Sequence, residues 1–208
     1  MKNITLLLLL LLCGIRLAWA QNIQLGVKGG GNLAVSAGSY HDYHLGWSIQ
    51  DEEIYANGSS FSYAVGGFIN LPLGTRFNLS AEILLSNKTL VYEYYLKRNY
   101  RPSYSDKKYK MMKIEFPVLF GYRIFLPLML YAGPSYGLIS TEDEGFASGE
   151  FCINAGISYD IMENLIADAR ASFGLTNLYN GDGYGYLKLK PEMTTNVYFL
   201  TVGYRFSL

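Results

Sequence analysis

The chain has 208 residues, with 17 basic and 17 acidic side chains, two histidines and two cysteines. Half of it is hydrophobic, and only 16% is charged, against about 25% in a typical soluble domain. Balanced charge gives no reason to expect nucleic-acid binding, and so few cysteines exclude a disulfide-stapled module.

Residues 1–20 read as a cleaved secretory signal. Lys2 supplies a short positive region, Ile4 to Leu12 is apolar except for Thr5, and Ala18-Trp19-Ala20 is a small-x-small cleavage site. The run is too short to span a bilayer, and Arg16 interrupts it. Cys13 follows Leu10-Leu11-Leu12 without the small residue usual beside a lipidated cysteine, which disfavours a lipoprotein. The expected mature domain is 21–208, with Cys152 as its one thiol. Loss of Lys2 and Arg16 takes the basic count from 17 to 15 against 17 acidic residues, a net charge of −2.

Eight strands are predicted in the mature part, at 23–36, 61–71, 77–93, 109–122, 128–140, 150–161, 165–177 and 194–208. Each alternates with a period of two. In the third, Phe77, Leu79, Ala81, Ile83 and Leu85 oppose Asn78, Ser80, Glu82, Leu84 and Ser86. In the fourth, Met112, Ile114, Phe116, Val118, Phe120 and Tyr122 oppose Lys113, Glu115, Pro117, Leu119, Gly121 and Arg123. The fifth is less regular, and Pro134 is expected to interrupt a ladder bond and mark a bulge. The sixth sets Phe151, Ile153, Ala155, Ile157, Tyr159 and Ile161 against Cys152, Asn154, Gly156, Ser158 and Asp160. The last sets Tyr198, Leu200, Val202, Tyr204, Phe206 and Leu208 against residues that include Thr201, Gly203, Arg205 and Ser207. The connections alternate between short (72–76, 123–127, 162–164) and long (37–60, 94–108, 141–149, 178–193).

This pattern predicts an all-β fold: an eight-stranded antiparallel transmembrane β-barrel of up-and-down topology, with short periplasmic turns and long extracellular loops. A lipocalin-like soluble barrel would carry its charged face outside. Here the polar face is built of Gly, Ser, Asn, Ala and Thr with a few charges of both signs, which suits the filled lumen of a narrow membrane barrel. Larger charge clusters, such as Asp51-Glu52-Glu53, Lys97-Arg98, Asp106-Lys107-Lys108 and Glu142-Asp143-Glu144, fall in the expected loops.

Four segments carry a family likeness. They are Leu25-Gly26-Val27-Lys28-Gly29-Gly30-Gly31-Asn32-Leu33, Ile114-Glu115-Phe116-Pro117-Val118-Leu119, Tyr131-Ala132-Gly133-Pro134-Ser135-Tyr136-Gly137 and Ala169-Arg170-Ala171-Ser172-Phe173-Gly174-Leu175-Thr176-Asn177. In order and spacing the chain resembles the PorT-like outer-membrane β-barrel family of Bacteroidetes-type bacteria, across nearly all of the mature part. The resemblance implies an outer-membrane location and a closed barrel. It implies no activity, although some members of that family support secretion across the outer membrane and surface motility.

Nine charged residues are expected in the lumen: Lys28, Glu82, Lys113, Glu115, Arg123, Asp160, Asp168, Arg170 and Arg205. An ion path is one use for them. A salt-bridge network filling a barrel too narrow to conduct freely is the favoured one, because an unpaired buried charge is costly. His41 and His44, three apart in a loop and without a further defined ligand, are a weak metal signal. Ser39 and Ser48 flank them, but no nucleophile elbow or triad spacing is present. Asn180-Gly181-Asp182-Gly183 lacks the closing Glu of a calcium loop and reads as a turn. No catalytic, cofactor-binding or metal residue is therefore assigned, no cofactor is expected and the chain is read as non-enzymatic.

Loop tyrosines are the better lead. Tyr40, Tyr43, Trp47 and Tyr55 lie in the first long loop. Tyr100 and Tyr104 lie in the second, flanked by Tyr92, Tyr94, Tyr95 and Tyr109, and Tyr179, Tyr184 and Tyr186 lie in the fourth. Those near strand ends suit the lipid headgroup level and those at loop centres suit recognition. The expected role is structural or accessory at the cell envelope, supporting secretion or envelope assembly. The expected partners are outer-membrane lipid and an envelope or secretion-machinery protein. The alternative is a surface receptor or adhesin acting through its aromatic loops, ahead of a narrow channel or a lipid-modifying enzyme using His41 or His44.

Overall fold

A computed structural model of the protein describes residues 23–37, 39–44, 50–55, 58–98, 101–141, 146–178 and 193–206. The backbone alone is described at 37, 39–44, 50–55, 92–98 and 101–107. The expected signal segment, Trp47, Ser48, Tyr100, Tyr179, Tyr184, Tyr186, the Asn180–Gly183 segment and Leu208 lie outside the described residues.

Ten strands form one sheet: β1 (Gln24–Ala37), β2 (Ser39–His44), β3 (Gln50–Tyr55), β4 (Ser59–Leu73), β5 (Phe77–Arg98), β6 (Arg101–Phe125), β7 (Leu128–Thr141), β8 (Gly149–Asp160), β9 (Leu165–Gly174) and β10 (Thr194–Phe206). Eight of them close a barrel. Going around, β1 pairs with β4, β4 with β5, each later strand with the next through β10, and β10 with β1. All of these pairings are antiparallel.

One inward row shows how the strands are staggered. Glu150 lies opposite Gly137, then Glu115, Leu84, Gly66, Lys28, Gly203, Ile166 and finally Asp160. The circuit returns to β8 ten residues from its start (150 to 160). That offset is the shear of the barrel, and it requires the strands to tilt.

The two faces sort as the alternation predicts. Outward positions are apolar and exposed, as at Val65, Ile69, Ile83, Phe116, Val118, Ile153, Ile157, Leu200 and Val202. Inward positions are buried and mostly small or polar, as at Asn32, Ser80, Ser86, Ser135, Asn154, Ser158, Ser172 and Thr201. This inverts a soluble protein, and it is stable only when lipid covers the outside. Aromatic rings gather toward both ends of the outer wall. Phe77 stacks with Phe120 and touches Tyr122 near the short turns, where Tyr204 also packs on Phe206. Tyr136 packs on Phe151 at the other end. Phe151 to Tyr159 on β8 spans about 26 Å along the strand at ~3.3 Å per residue, which matches the tilted hydrocarbon layer.

The long connections differ from expectation in two places. Residues 94–108 are not a free loop: β5 and β6 stay paired from Phe77↔Tyr122 to Arg98↔Arg101. At 22 and 25 residues these strands are about twice the length needed to cross a membrane. Residues 37–60 contain the β2–β3 hairpin, and β3 pairs with the outer half of β5 from Glu93 to Arg98. Their charges signalled exposure to water, and a hairpin standing clear of the bilayer meets water on both faces. Pro134 interrupts its ladder with β6 as expected but marks no bulge, since β7 keeps one register past it on both sides. Pairing with β6 lapses beside it, and the register shift lies instead between Arg123 and Phe125. Among the short turns, Gly74 takes a φ of 77° at the β4–β5 connection, a conformation that suits glycine.

Candidate functional site

The barrel interior brings the candidate charges together in three tiers. At the end bearing the short turns, Asp160 on β8 accepts hydrogen bonds from Arg123 on β6 at 2.8 Å and from Arg205 on β10. These groups are partly exposed and border a vestibule of about 400 Å³, together with Gln24, Arg76 and Thr75.

The second tier crosses the middle of the barrel. Lys28 on β1 donates to Glu82 Oε1 on β5 at 2.6 Å, and Arg170 on β9 donates to Glu82 Oε2 at 2.9 Å. Asp168 on β9 lies 3.8 Å from Lys28 and accepts from the Tyr131 hydroxyl on β7 at 2.6 Å. Thr201 on β10 closes the ring by donating to Asp168 at 3.4 Å. Two cations thus face two anions. The Arg170 guanidinium also lies 5.0 Å from the Phe199 ring centroid. That cation–π contact supports the nitrogens Nε and Nη2, which have no hydrogen-bond partner.

The third tier lies toward the long hairpins. Glu150 on β8 accepts from Lys88 on β5 at 3.0 Å and pairs with Lys113 on β6 at 2.8 Å. Lys113 also lies 3.0 Å from Glu115 Oε2, close enough for an ion pair although that oxygen accepts no hydrogen bond. Thr195 donates to Glu150 and accepts from Lys88, both at 3.0 Å. Ser135 donates to Glu115, and Asn154 donates to Ser135 at 2.8 Å. Two cations again face two anions. Space for this tier comes from Gly137, which sits between Glu115 and Glu150 in the ladder. A Cβ there would run into the Lys113 stem.

Above the third tier the lumen turns apolar. Leu90, Met111, Ile139, Leu178 and Met193 form a buried cluster, flanked by Tyr109 and Phe146. Its outer members are pinned by backbone bonds: Ala147 N–H to the Leu178 carbonyl at 2.8 Å, and Leu178 N–H to the Met193 carbonyl at 2.7 Å. Between the second tier and the vestibule lies a small void of about 30 Å³, beside Lys28, Phe68 and Tyr131. That is room for about one water, given roughly 30 Å³ per molecule in the liquid.

All nine charges expected in the lumen point inward and are paired. Lys88 and Glu150 were missed. Both were legible in the alternation: Lys88 continues the inward series Glu82, Leu84, Ser86, and Glu150 precedes Cys152 and Asn154 in the same series. The histidine candidates share one short strand. His41 and His44 are three apart on β2, so the two positions fall on opposite faces of that strand. Among the described residues no group of three or more His, Cys, Asp or Glu is placed to hold a metal ion. Tyr40, Tyr43, Tyr55, Tyr92, Tyr94, Tyr95 and Tyr104 lie on the outer strands, and Tyr109 packs against Phe146.

An apolar exterior, aromatic ends and a polar filled interior define an integral membrane β-barrel. The profile of the family described as "Outer membrane protein beta-barrel domain" matches residues 19–180, and the chain belongs to that family. It is therefore an outer-membrane protein. No curated protein matches it in sequence. Among solved structures, the chain is similar to Ail, the attachment invasion locus protein of Yersinia pestis, solved with a heparin analogue. Identity is 11%, 89% of this chain and 99% of that one are covered, and the TM-score is 0.49. Neisserial surface protein A is 13% identical over 90% and 97% of the two chains, with a TM-score of 0.47. The outer membrane protein OprG of Pseudomonas aeruginosa is 12% identical over 90% and 98%, with a TM-score of 0.46.

Proposed function

We propose that this barrel is a non-enzymatic anchor with an accessory role at the cell envelope, assisting secretion or envelope assembly, in line with its resemblance to the PorT-like barrels. A cleaved signal at 1–20 delivers it. One observation carries the reading: the lumen is filled by two buried, charge-balanced tiers beneath an apolar cluster. The charges of these two tiers already serve one another. Action then falls to the outer surface and to the hairpins beyond the membrane.

In-membrane crosslinking in the native organism, followed by affinity purification and mass spectrometry, tests this. A stoichiometric envelope or secretion component is the expected result. Recovery of the barrel alone overturns it in favour of a surface receptor, which the β2–β3 hairpin paired onto β5 favours as a second reading. Deleting that hairpin would then abolish ligand or cell binding.

A channel makes a different demand. The purified barrel in a planar bilayer should show no unitary conductance, because an ion would have to cross both charged tiers and the dry cluster. Stable single-channel steps would refute the closed lumen.

A further inference from the structure

We infer that the outer wall binds the phosphorylated headgroup of an anionic outer-leaflet lipid at the Lys108–Lys110 column of β6. Among the outward positions of the eight barrel strands whose side chains are described, these two residues alone carry charge. Both are exposed, and no carboxylate among the residues whose side chains are described is within ion-pairing distance of either. They directly continue an apolar column. Phe116, Ile114 and Met112 face outward on β6, followed by Lys110 and Lys108 toward the long hairpin.

The neighbouring strands change character at the same margin. On β5 the outward series passes from Leu85 to Asn87 and Thr89, and on β7 it passes from Leu138 to Ser140. On β4, β7, β8, β9 and β10 this margin carries exposed aromatic rings, at Phe61, Tyr63, Tyr136, Phe151, Phe173 and Tyr198. Between Tyr136 on β7 and the rings of β4 the margin is open over β5 and β6, and a groove of about 830 Å³ lies there, bordered by Asn87, Thr89, Lys108, Lys110, Met112 and Ser140.

Lipid is the occupant because of where the groove sits. Its lower edge is Met112, on the apolar column that acyl chains cover. Its upper part offers two ammonium groups about 7 Å apart along the strand, with amide and hydroxyl groups beside them. A molecule with acyl chains below and phosphate above fits both halves, whereas a free anion uses only one. Basic residues near a charged membrane surface contribute about fivefold each in affinity.

The test is native mass spectrometry of the full-length mature barrel, released from neutral detergent after incubation with diphosphoryl lipid A or its dephosphorylated form. Wild type should retain the phosphorylated lipid, and the Lys108→Gln/Lys110→Gln double variant should lose roughly thirty-fold in retention. The shift in gel mobility between unheated and boiled samples reports that the variant remains folded. Lys110→Arg should keep most of the retention, since the charge is preserved. Equal retention of both lipids by wild type, or undiminished retention by the folded double variant, would overturn the assignment. So would full displacement by equimolar inorganic phosphate, which would mark a free-anion site.

Discussion

Replacing Glu150 by alanine should destabilise the folded barrel by about 3–5 kcal/mol, the usual cost of leaving a buried charge without its partner. Glu150 is 1% exposed, and it is the anion that both Lys88 and Lys113 share. Its loss leaves two ammonium groups facing Glu115 alone. Thr195 would also lose the acceptor for its hydroxyl. The measurement is a urea titration of refolded protein in lipid vesicles, followed by the gel-mobility shift. A double variant, Glu150→Gln with Lys88→Gln, restores charge balance and should recover a large part of the loss. If Glu150→Ala unfolds at the wild-type midpoint, or if the double variant is additive, the third tier is not an ion-pair network. Glu82→Ala should behave alike in the second tier, because Lys28 and Arg170 both depend on it.

An arginine in place of Leu200 should impair assembly by about 2–4 kcal/mol, the depth-dependent cost of a cation near the bilayer midplane. Leu200 lies on the outward face of β10 and is 69% exposed, between the aromatic rings of Tyr198 and Tyr204. The same change at Thr201, one residue on and buried in the lumen, would act through crowding against Asp168 and Arg170. A matched pair at adjacent positions therefore separates lipid from lumen. Measured as folded fraction in vesicles, Leu200→Arg should suffer more in thick bilayers than in detergent, whereas Thr201→Arg should suffer in both. A silent Leu200→Arg would mean that this face does not meet lipid.

The barrel was legible because lipid imposes a strict rule on each strand. Every outward side chain must be apolar, so β8 declares itself through Phe151, Ile153, Ala155, Ile157 and Tyr159. All eight barrel strands and both faces follow from that alternation. The rule ends where lipid ends. Beyond the membrane, β5, β6 and the β2–β3 hairpin obey no single-sided pattern, and their charges read as loops. The lumen charges were legible as inward residues. Their grouping into tiers was not, because it depends on the ten-residue offset around the barrel. That offset places Lys88 beside Thr195, 107 residues away in the chain. The open stretch in the aromatic margin over β5 and β6 was likewise hidden, since it belongs to two strands jointly.

The pairing of β1 with β10 has a kinetic consequence. Its thirteen residue pairs join positions 157 to 181 apart in the chain (37 to 194, and 25 to 206), which makes it the most distant seam in the sheet. Hairpins such as β7–β8 can form early and locally, but this seam must wait for both ends. Until it zips, Lys28, Glu82, Asp168 and Arg170 remain on an open sheet in contact with water. Their hydration is surrendered in the same event that closes the wall. Burial of these charges and closure of the wall are therefore one event, and an open sheet before it carries two exposed edges that invite misassembly.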